Sequence, residues 1–469
     1  MKAENKNFLM NVVYQGLTLV FPLITVPYIS RVLGAERIGI YSYTYSIAYM
    51  FMLAGMLGIN NYGNRSVALV RDDKTKLSHT FSSIYCLQII INLGAVASYL
   101  IYIAAIGSPY RLIDLIQLIY VLSICFDVNW FFFGLEKFKL TIIRNLIIKV
   151  ASLIFIFLLV RNQGDLWKYT LVMASSTLAS QLYLFLQLPK YVNFAIEDPK
   201  EVFKHFRGVV TLFVPVLAFG VYRVIDKTMI GALSSVVELG YFENAEKLIN
   251  IPVAVITALG TVMLPRMAYL ISKDETAYKD KICESMNLAL MLGTAMAVGL
   301  VAVSRPAANV IFGPAFEKSG TVICLLAVTV IASAWSNVMR TQYLIPKSLD
   351  RVYIVSTAGA AVLNFAVNIV LIPRFGSFGA CIGTIVAELF IAIYQSVAVW
   401  SDLDVLAYLK LLTRHMLRSL IAGMLAMAAM SRFTGDFQQL MVGLMAFAAV
   451  FVVFNGRYIM HDFLGVKSN

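Results

Sequence analysis

Residues 285–303 read SMNLALMLGTAMAVGLVAV, nineteen consecutive positions without a charge. A helix crossing a ~30 Å hydrocarbon core needs about 20 mainly apolar residues, so this window alone can span a membrane. Comparable segments lie on both sides of it, near 8–30, 38–60, 80–106, 112–134, 141–160, 167–188, 208–233, 241–270, 320–343, 352–372, 378–400, 416–431 and 438–458, which makes fourteen in all. Of 469 residues, 60% are hydrophobic and 14% charged, with a mean hydropathy of +0.79; a soluble chain carries about 25% charged residues. Backbone groups in lipid must be satisfied within a helix or a closed barrel, and barrel strands alternate over ~10 residues. These segments are longer and uniformly apolar. The reading is an all-α membrane protein, a polytopic helical bundle of about fourteen transmembrane helices.

Orientation follows from the basic residues. With the N-terminus inside, the inner connections and the helix ends beside them hold 25 Lys and Arg, Arg144 among them, the outer ones nine, and Lys149, Arg223, Lys227 and Lys247 lie within spans. Both termini are expected on the cytoplasmic side of the inner (cytoplasmic) membrane. The net charge of +12 is explained by inner-loop cations beside anionic membrane lipids, and no nucleic-acid partner is needed. The apolar run after the N-terminus has no small-residue cleavage site and reads as a retained helix.

Several chemistries find no support. The five cysteines are scattered with no C-x-x-C pair, the four histidines have no metal-ligand spacing, and no G-x-x-x-x-G-K-[ST] stretch occurs. No metal, cofactor or catalytic residue is expected, and the outer connections are too short to hold an extracytoplasmic enzyme domain.

An internal echo suggests duplication: TLVFPLI at 18–24 is matched by TLFVPVL at 211–217, six helices later, and each is followed by a glycine, Gly34 or Gly231. Parallel repeats of this kind place a site between two halves. The expected organisation is an N-terminal six-helix lobe over 1–205, a C-terminal six-helix lobe over 206–405 related to it by pseudo-two-fold symmetry, and two additional helices over 406–469. Pro22 and Pro27 in the first span, Pro215 in the seventh, and Pro252 and Pro265 in the eighth each remove a backbone donor where a helix can bend.

Against this apolar background, residues 222–231 read YRVIDKTMIG. Arg223, Asp226 and Lys227 stand at i, i+3 and i+4 and so share a helix face; the next span carries Glu243, Glu246 and Lys247. Charges near the bilayer midplane cost about 2.5–3.5 kcal/mol each on insertion scales and face a wet cavity or one another. One reading is mutually neutralising pairs that fix packing. The other is a polar path, and a path lined by Arg and Lys suits phosphate. Asn364 and Asn368 on one helix face are further substrate-contact candidates, with interhelical hydrogen bonding as the alternative. Asp127 and Glu388, acidic and within spans, are ion-coupling candidates. Tyr41, Tyr43 and Tyr45 suit sugar contact or an interfacial aromatic belt.

Three stretches carry a family resemblance: FPLITVPYISRVLGAERIGIYSYTYSIAYMFMLAGMLGINNYGNRSVALVRDD (21–73), FDVNWFFFGLEKFK (126–139) and GYFENAEKLINIPVAVITALGTVMLPRM (240–267). The chain resembles the bacterial flippases that export polysaccharide repeat units for O-antigen and capsule, members of the multidrug/oligosaccharidyl-lipid/polysaccharide exporter superfamily. The resemblance runs from the first helix to about residue 400. It implies a carrier, not an enzyme, that moves an undecaprenyl-diphosphate-linked oligosaccharide between leaflets by alternating access through a cationic cavity between two lobes. It adds Arg31, in the SRVLG motif, to Arg223, Lys227 and Lys247 as candidates to hold the diphosphate; Asp226 and Glu243, on the helices of Arg223 and Lys247, complete the substrate-binding candidates. Its implied partners are the polyprenyl-diphosphate-linked oligosaccharide, membrane lipids, and the polysaccharide polymerase and chain-length machinery. The two extra C-terminal helices depart from the twelve-helix pattern and bring in the fourteen-helix lipid II flippases. A cation-coupled drug exporter and, in another class, a membrane-embedded polysaccharide polymerase are the remaining alternatives.

Overall fold

The computed structural model describes residues 2–106, 109–195, 197–271 and 273–458; within these, the side chains of 2–20, 23, 212, 214–223 and 457–458 are not described. All fourteen apolar segments fall on helices, and no strand occurs among the described residues. Eleven helical stretches there are long and apolar enough to cross a membrane. Contacts divide the chain into two compact units, Met1–Gly231 and Ala232–Asn469.

In the first unit, α1 (Lys2–Met56) carries the first two predicted spans and is interrupted at Gly34, whose φ of 75° and ψ of 173° leave the helical region. Glycine enters positive φ without a side-chain penalty. After α2 (Ile59–Val70) the chain turns at Asp73, whose carboxylate accepts the amides of Thr75 and Lys76 at 3.1 Å and starts α3 (Lys74–Ile106). Those bonds, that from Lys76 foremost, hold the Asp73 carboxyl below its ordinary range. The fourth span is not one helix. It is α4 (Arg111–Ser123), a 3-10 turn and α5 (Asn129–Gly134), broken at Asp127 and Val128. Then follow α6 (Phe138–Leu159), α7 (Leu166–Phe185), the short α8 (Pro199–Phe203) and α9 (Phe206–Leu233). α9 runs against α1 and α2, where Gly208 lies under the ring of Tyr62 and Gly231 under that of Tyr43.

The core of this unit is aromatic: Trp130, Phe131 and Phe132 of α5 are fully buried with Phe81 of α3, whose ring stacks on Trp130 at 5.5 Å. By contrast, Ile147, Ile154, Phe155 and Leu158 along α6 are exposed, as a lipid-facing helix requires.

The second unit contains α10 (Val236–Leu270), α11 (Glu275–Phe312), α12 (Glu317–Val338), α13 (Asp350–Phe375), α14 (Ser377–Ala398), α15 (Val405–Met430) and α16 (Asp436–Tyr458). Ser235, Asp274 and Asp404 each accept an amide of the first turn they precede, satisfying donors that a helix start leaves open. α12 continues as a π-helix over Met339–Leu344. In α11 and α12, 61% and 67% of the most apolar window is buried, against 11% in α16. The stretch SMNLALMLGTAMAVGLVAV is thus interior to its unit. Small residues bring it close to α12: a methyl group on Gly293 would stand 2.8 Å from the Ala334 side chain, the close approach by which membrane helices gain packing.

Candidate functional site

In the first unit, Tyr41 and Tyr45 of IGIYSYTYS form a stripe on α1 that other helices complete, whereas Tyr43 lies on another face against Gly231 of α9. Tyr41 and Tyr45 stack at 5.8 Å, Tyr169 of α7 meets Tyr41 at 4.9 Å, and Tyr120 of α4 meets Tyr45 at 5.1 Å. The hydroxyls of Tyr41 and Tyr120 share a hydrogen bond of 3.1 Å. Below them Gln117 donates to Thr44 Oγ1 at 3.2 Å, and one turn away Asp114 is a fully buried carboxylate. Asp114 carries no signal in the sequence, where it sits three residues past Arg111 and reads as part of a helix start.

Asp127 occupies the break in the fourth span. Its Oδ1 accepts the Asn129 amide at 3.0 Å and Asn129 Nδ2 at 2.7 Å, and Asn129 Nδ2 also donates to Gln181 Oε1 at 3.0 Å. Arg144 closes the network by donating to Asn129 Oδ1 and the Ser180 carbonyl, both at 3.1 Å. Arg144 is only 5% exposed. Counted by the sequence as an inner-loop cation, it is an interior residue of α6; the adjacent amide of Asn145, which accepts from it at 2.8 Å, is the one local hint.

Asp226 on α9 is buried and Lys227 partly so, each engaged by a neighbour. The side chain of Arg223 lies outside the described residues, as do those of 18–20, 212 and 214–217 in the internal echo. Arg31 is exposed on α1, three residues before the break at Gly34.

In the second unit, Lys247 lies 3.4 Å from Glu243 and 3.5 Å from Asn244 Oδ1, so the pair predicted at i, i+4 forms within α10. Asn364 and Asn368 are fully buried on α13 and joined at 3.1 Å, with Gly383 of α14 packed directly on Asn368 Oδ1. Glu388 of α14 accepts from Ser333 Oγ of α12 at 3.0 Å. Glu238, absent from the sequence reading, ties three helices: it pairs with Lys318 of α12 and accepts the Ser377 amide at 3.1 Å and hydroxyl at 2.6 Å at the start of α14. No group of three or more His, Cys, Asp or Glu able to hold a metal occurs among the described residues.

Two units of long apolar helices that bury polar clusters define a multi-pass membrane protein. Across 96% of this chain and all of the compared chain, the structure is similar to the lipid II flippase MurJ in its inward closed conformation (TM-score 0.76, 15% identity). It is also similar to an inward-facing multidrug resistance MATE family transporter of the MOP superfamily (TM-score 0.62, 11% identity, covering 81% and 95% of the two chains). The fold is that of this superfamily of exporters. Residues 5–271 match the polysaccharide biosynthesis protein family, and the chain belongs to it. A protein of Shigella dysenteriae named "Putative O-antigen transporter" is 22% identical over 407 residues, covering 84% of this chain and 99% of that protein. One of the same name in Escherichia coli strain K12 is 19% identical over 388 residues, covering 82% and 93%.

Proposed function

We propose that the protein is a flippase that moves a polyprenyl-diphosphate-linked oligosaccharide, with undecaprenyl as the lipid, from the inner to the outer leaflet of the cytoplasmic membrane. Transport is by alternating access of the lobes 1–205 and 206–405, with both termini cytoplasmic and 406–469 as an appended pair of helices. The observation that carries this reading is Lys247. It lies eleven residues, about 16 Å, into an apolar 35-residue helix, and its side chain remains 34% exposed beside its partner Glu243. An ammonium kept accessible at that depth suits an anion that must pass.

Arg223, Lys227, Lys247 and Arg31 hold the diphosphate, Asp226 and Glu243 balance the cations when no cargo is present, and the tyrosine stripe of α1 contacts sugar. Asn364 Nδ2 is buried with no partner among the described residues, an expense that makes sense if the pair with Asn368 meets substrate in another state. Asp127 and Glu388 are the coupling acids. Polysaccharide polymerase and chain-length machinery are the partners that receive the product.

The test is neutralisation of Arg223, Lys227 and Lys247, singly and together, in a flippase-null strain, scored by surface polysaccharide at matched protein levels. Wild type should restore export and the triple variant should not; normal export from the triple variant overturns the binding-site assignment. A lipid II cargo is the second reading, favoured by the structural match to the lipid II flippase through the C-terminal helix pair. Rescue of cells depleted of their lipid II flippase, without rescue of polysaccharide export, would replace the first reading with the second.

A further inference from the structure

A cavity of about 390 Å³ opens at one end of the first unit, between the start of α4, the start of α7 and the segment of α1 just after Gly34. Its polar lining is Arg37, Tyr110, Arg111, Gln163 and Trp167. Ligand pockets run from about 300 to 1,000 Å³, so it can take a small group, not a chain. Neither arginine forms an ion pair among the described residues, and Arg37 Nε is buried with no hydrogen-bond partner. Of the nearby acids, Asp165 pairs with Lys168 at 2.7 Å and accepts the amides of Arg161 at 2.8 Å and Asn162 at 3.1 Å, while Glu36 beside Arg37 and the buried Asp114 one turn past Arg111 form no ion pair with either arginine among the described residues. The result is a cationic cavity with an orphaned guanidinium donor, whose desolvation is repaid only by an acceptor. Trp167 stands at the rim, 42% exposed, an indole face suited to a pyranose ring. Gln163 offers an amide to hydroxyls. The opposite end of the unit carries Lys74, Lys76, Lys137, Lys139, Lys190, Lys200 and Lys204, which puts the cavity on the extracytoplasmic side.

We propose that this cavity binds an acidic sugar unit, a hexuronate, of the saccharide arriving at the outer face: its carboxylate on Arg37 and Arg111, its ring against Trp167. The inference rests on the saccharide cargo proposed above and names a class of it. A phosphate headgroup would use the same arginines but has no use for the indole and the amide.

The experiment is binding by full-length protein in zwitterionic nanodiscs, read by thermophoresis. The probes are a glucuronate-containing tetrasaccharide, its carboxyl-reduced neutral form, and glycerol phosphate. The acidic tetrasaccharide should bind, and the affinity should fall by about tenfold or more in R37Q/R111Q and in W167A, given the worth of charge-assisted hydrogen bonds. R37K/R111K should retain part of it. Equal binding of the neutral form, preference for glycerol phosphate, or undiminished binding by R37Q/R111Q would overturn the proposal. Arg111 and Trp167 are exposed, so R111Q and W167A alone decide the matter if R37Q/R111Q fails to fold. Binding is scored without transport. Intact binding in a protein that fails to restore polysaccharide export would therefore count against the cargo and not the cavity, and lost binding with export intact the reverse.

Discussion

Replacing Gly376 by alanine tests how the turn between α13 and α14 is held. Gly376 has φ 57° and ψ −129° and is followed at once by α14. A side chain in so sparsely populated a region costs about 1–3 kcal/mol. A methyl group there would also lie 2.7 Å from Glu238 Oε2 and 2.9 Å from its Cγ. Glu238 cannot swing away freely, because Lys318 and both donors of Ser377 hold it; forcing a methyl group into packed surroundings costs roughly 1–3 kcal/mol more. With about 3 kcal/mol in all and ~2–4 °C per kcal/mol for a unit of this size, the midpoint of thermal unfolding should drop by about 6–12 °C. The assay is intrinsic fluorescence of purified protein in one detergent, with Gly94→Ala as control. A methyl group on Gly94 meets nothing within 4 Å, so that variant should match or slightly exceed wild type, alanine being the better helix former. Equal midpoints for Gly376→Ala and Gly94→Ala would refute the account of the turn.

Trp130→Phe removes the 2.9 Å bond from the indole to buried Gln88 Oε1 and should cost about 1–3 kcal/mol, seen as a lower unfolding midpoint of the first unit; an unchanged midpoint would show that water replaces the bond. Burial, and then the neighbouring Lys204 ammonium, lowers the pKa of His205, whose Nδ1 lies 2.7 Å from the Tyr62 hydroxyl. The unfolded chain therefore takes up the proton first: the contribution is whole above pH ~6.5 and is lost as pH falls through the folded pKa. The midpoint of wild type should drop more between pH 7.5 and 5.5 than that of His205→Gln, and parallel drops would contradict this. Gln342 is fully buried with neither end of its amide bonded among the described residues; Gln342→Leu should raise thermal stability, since an apolar isostere removes an unmet desolvation cost. A lower midpoint would mean that the amide has a partner in solution.

The bundle was legible because hydrocarbon thickness dictates segment length, and fourteen windows of that length can be counted directly. What could not be read is where a span breaks. FDVNWFFFG lies inside the apolar window 112–134 with no Gly or Pro before its end, yet Asp127 binds the Asn129 amide and side chain and stops one helix before the next begins, a tertiary arrangement stabilised by Arg144 from α6. Arg144 was misread for the same reason. Position relative to a segment end gives depth along the membrane normal, but which way a side chain turns depends on what the neighbouring helix offers, here Asn129 and the Ser180 carbonyl. The i, i+4 pair of Glu243 and Lys247 was legible because both partners sit on one helix, where spacing fixes proximity. Glu238, Lys318 and Ser377 come from three helices far apart in sequence, and no spacing rule joins them.

The buried amides carry a further consequence. A helix bundle with only one state to stabilise would replace Asn364, Gln342 and the Oε1 end of Gln117 by apolar groups, since each holds a buried atom without a partner among the described residues and such atoms cost more than the bonds they replace. Gln342 lies in the π-helix that continues α12, and Asn337 just before it is packed against Gly260 of α10; π segments interrupt the regular ladder and occur often at functional sites. Asn364 lies beside Gly383, where α13 and α14 approach closely. Unmet polar atoms at a loosened turn and at a close helix contact destabilise this arrangement relative to one in which they are bonded. A protein that must alternate between two packings of similar free energy needs such a bias against each, because a state satisfied at every position would trap it. Under the alternating access proposed above, the same residues that lower the stability of the observed state are the ones through which a second state competes with it.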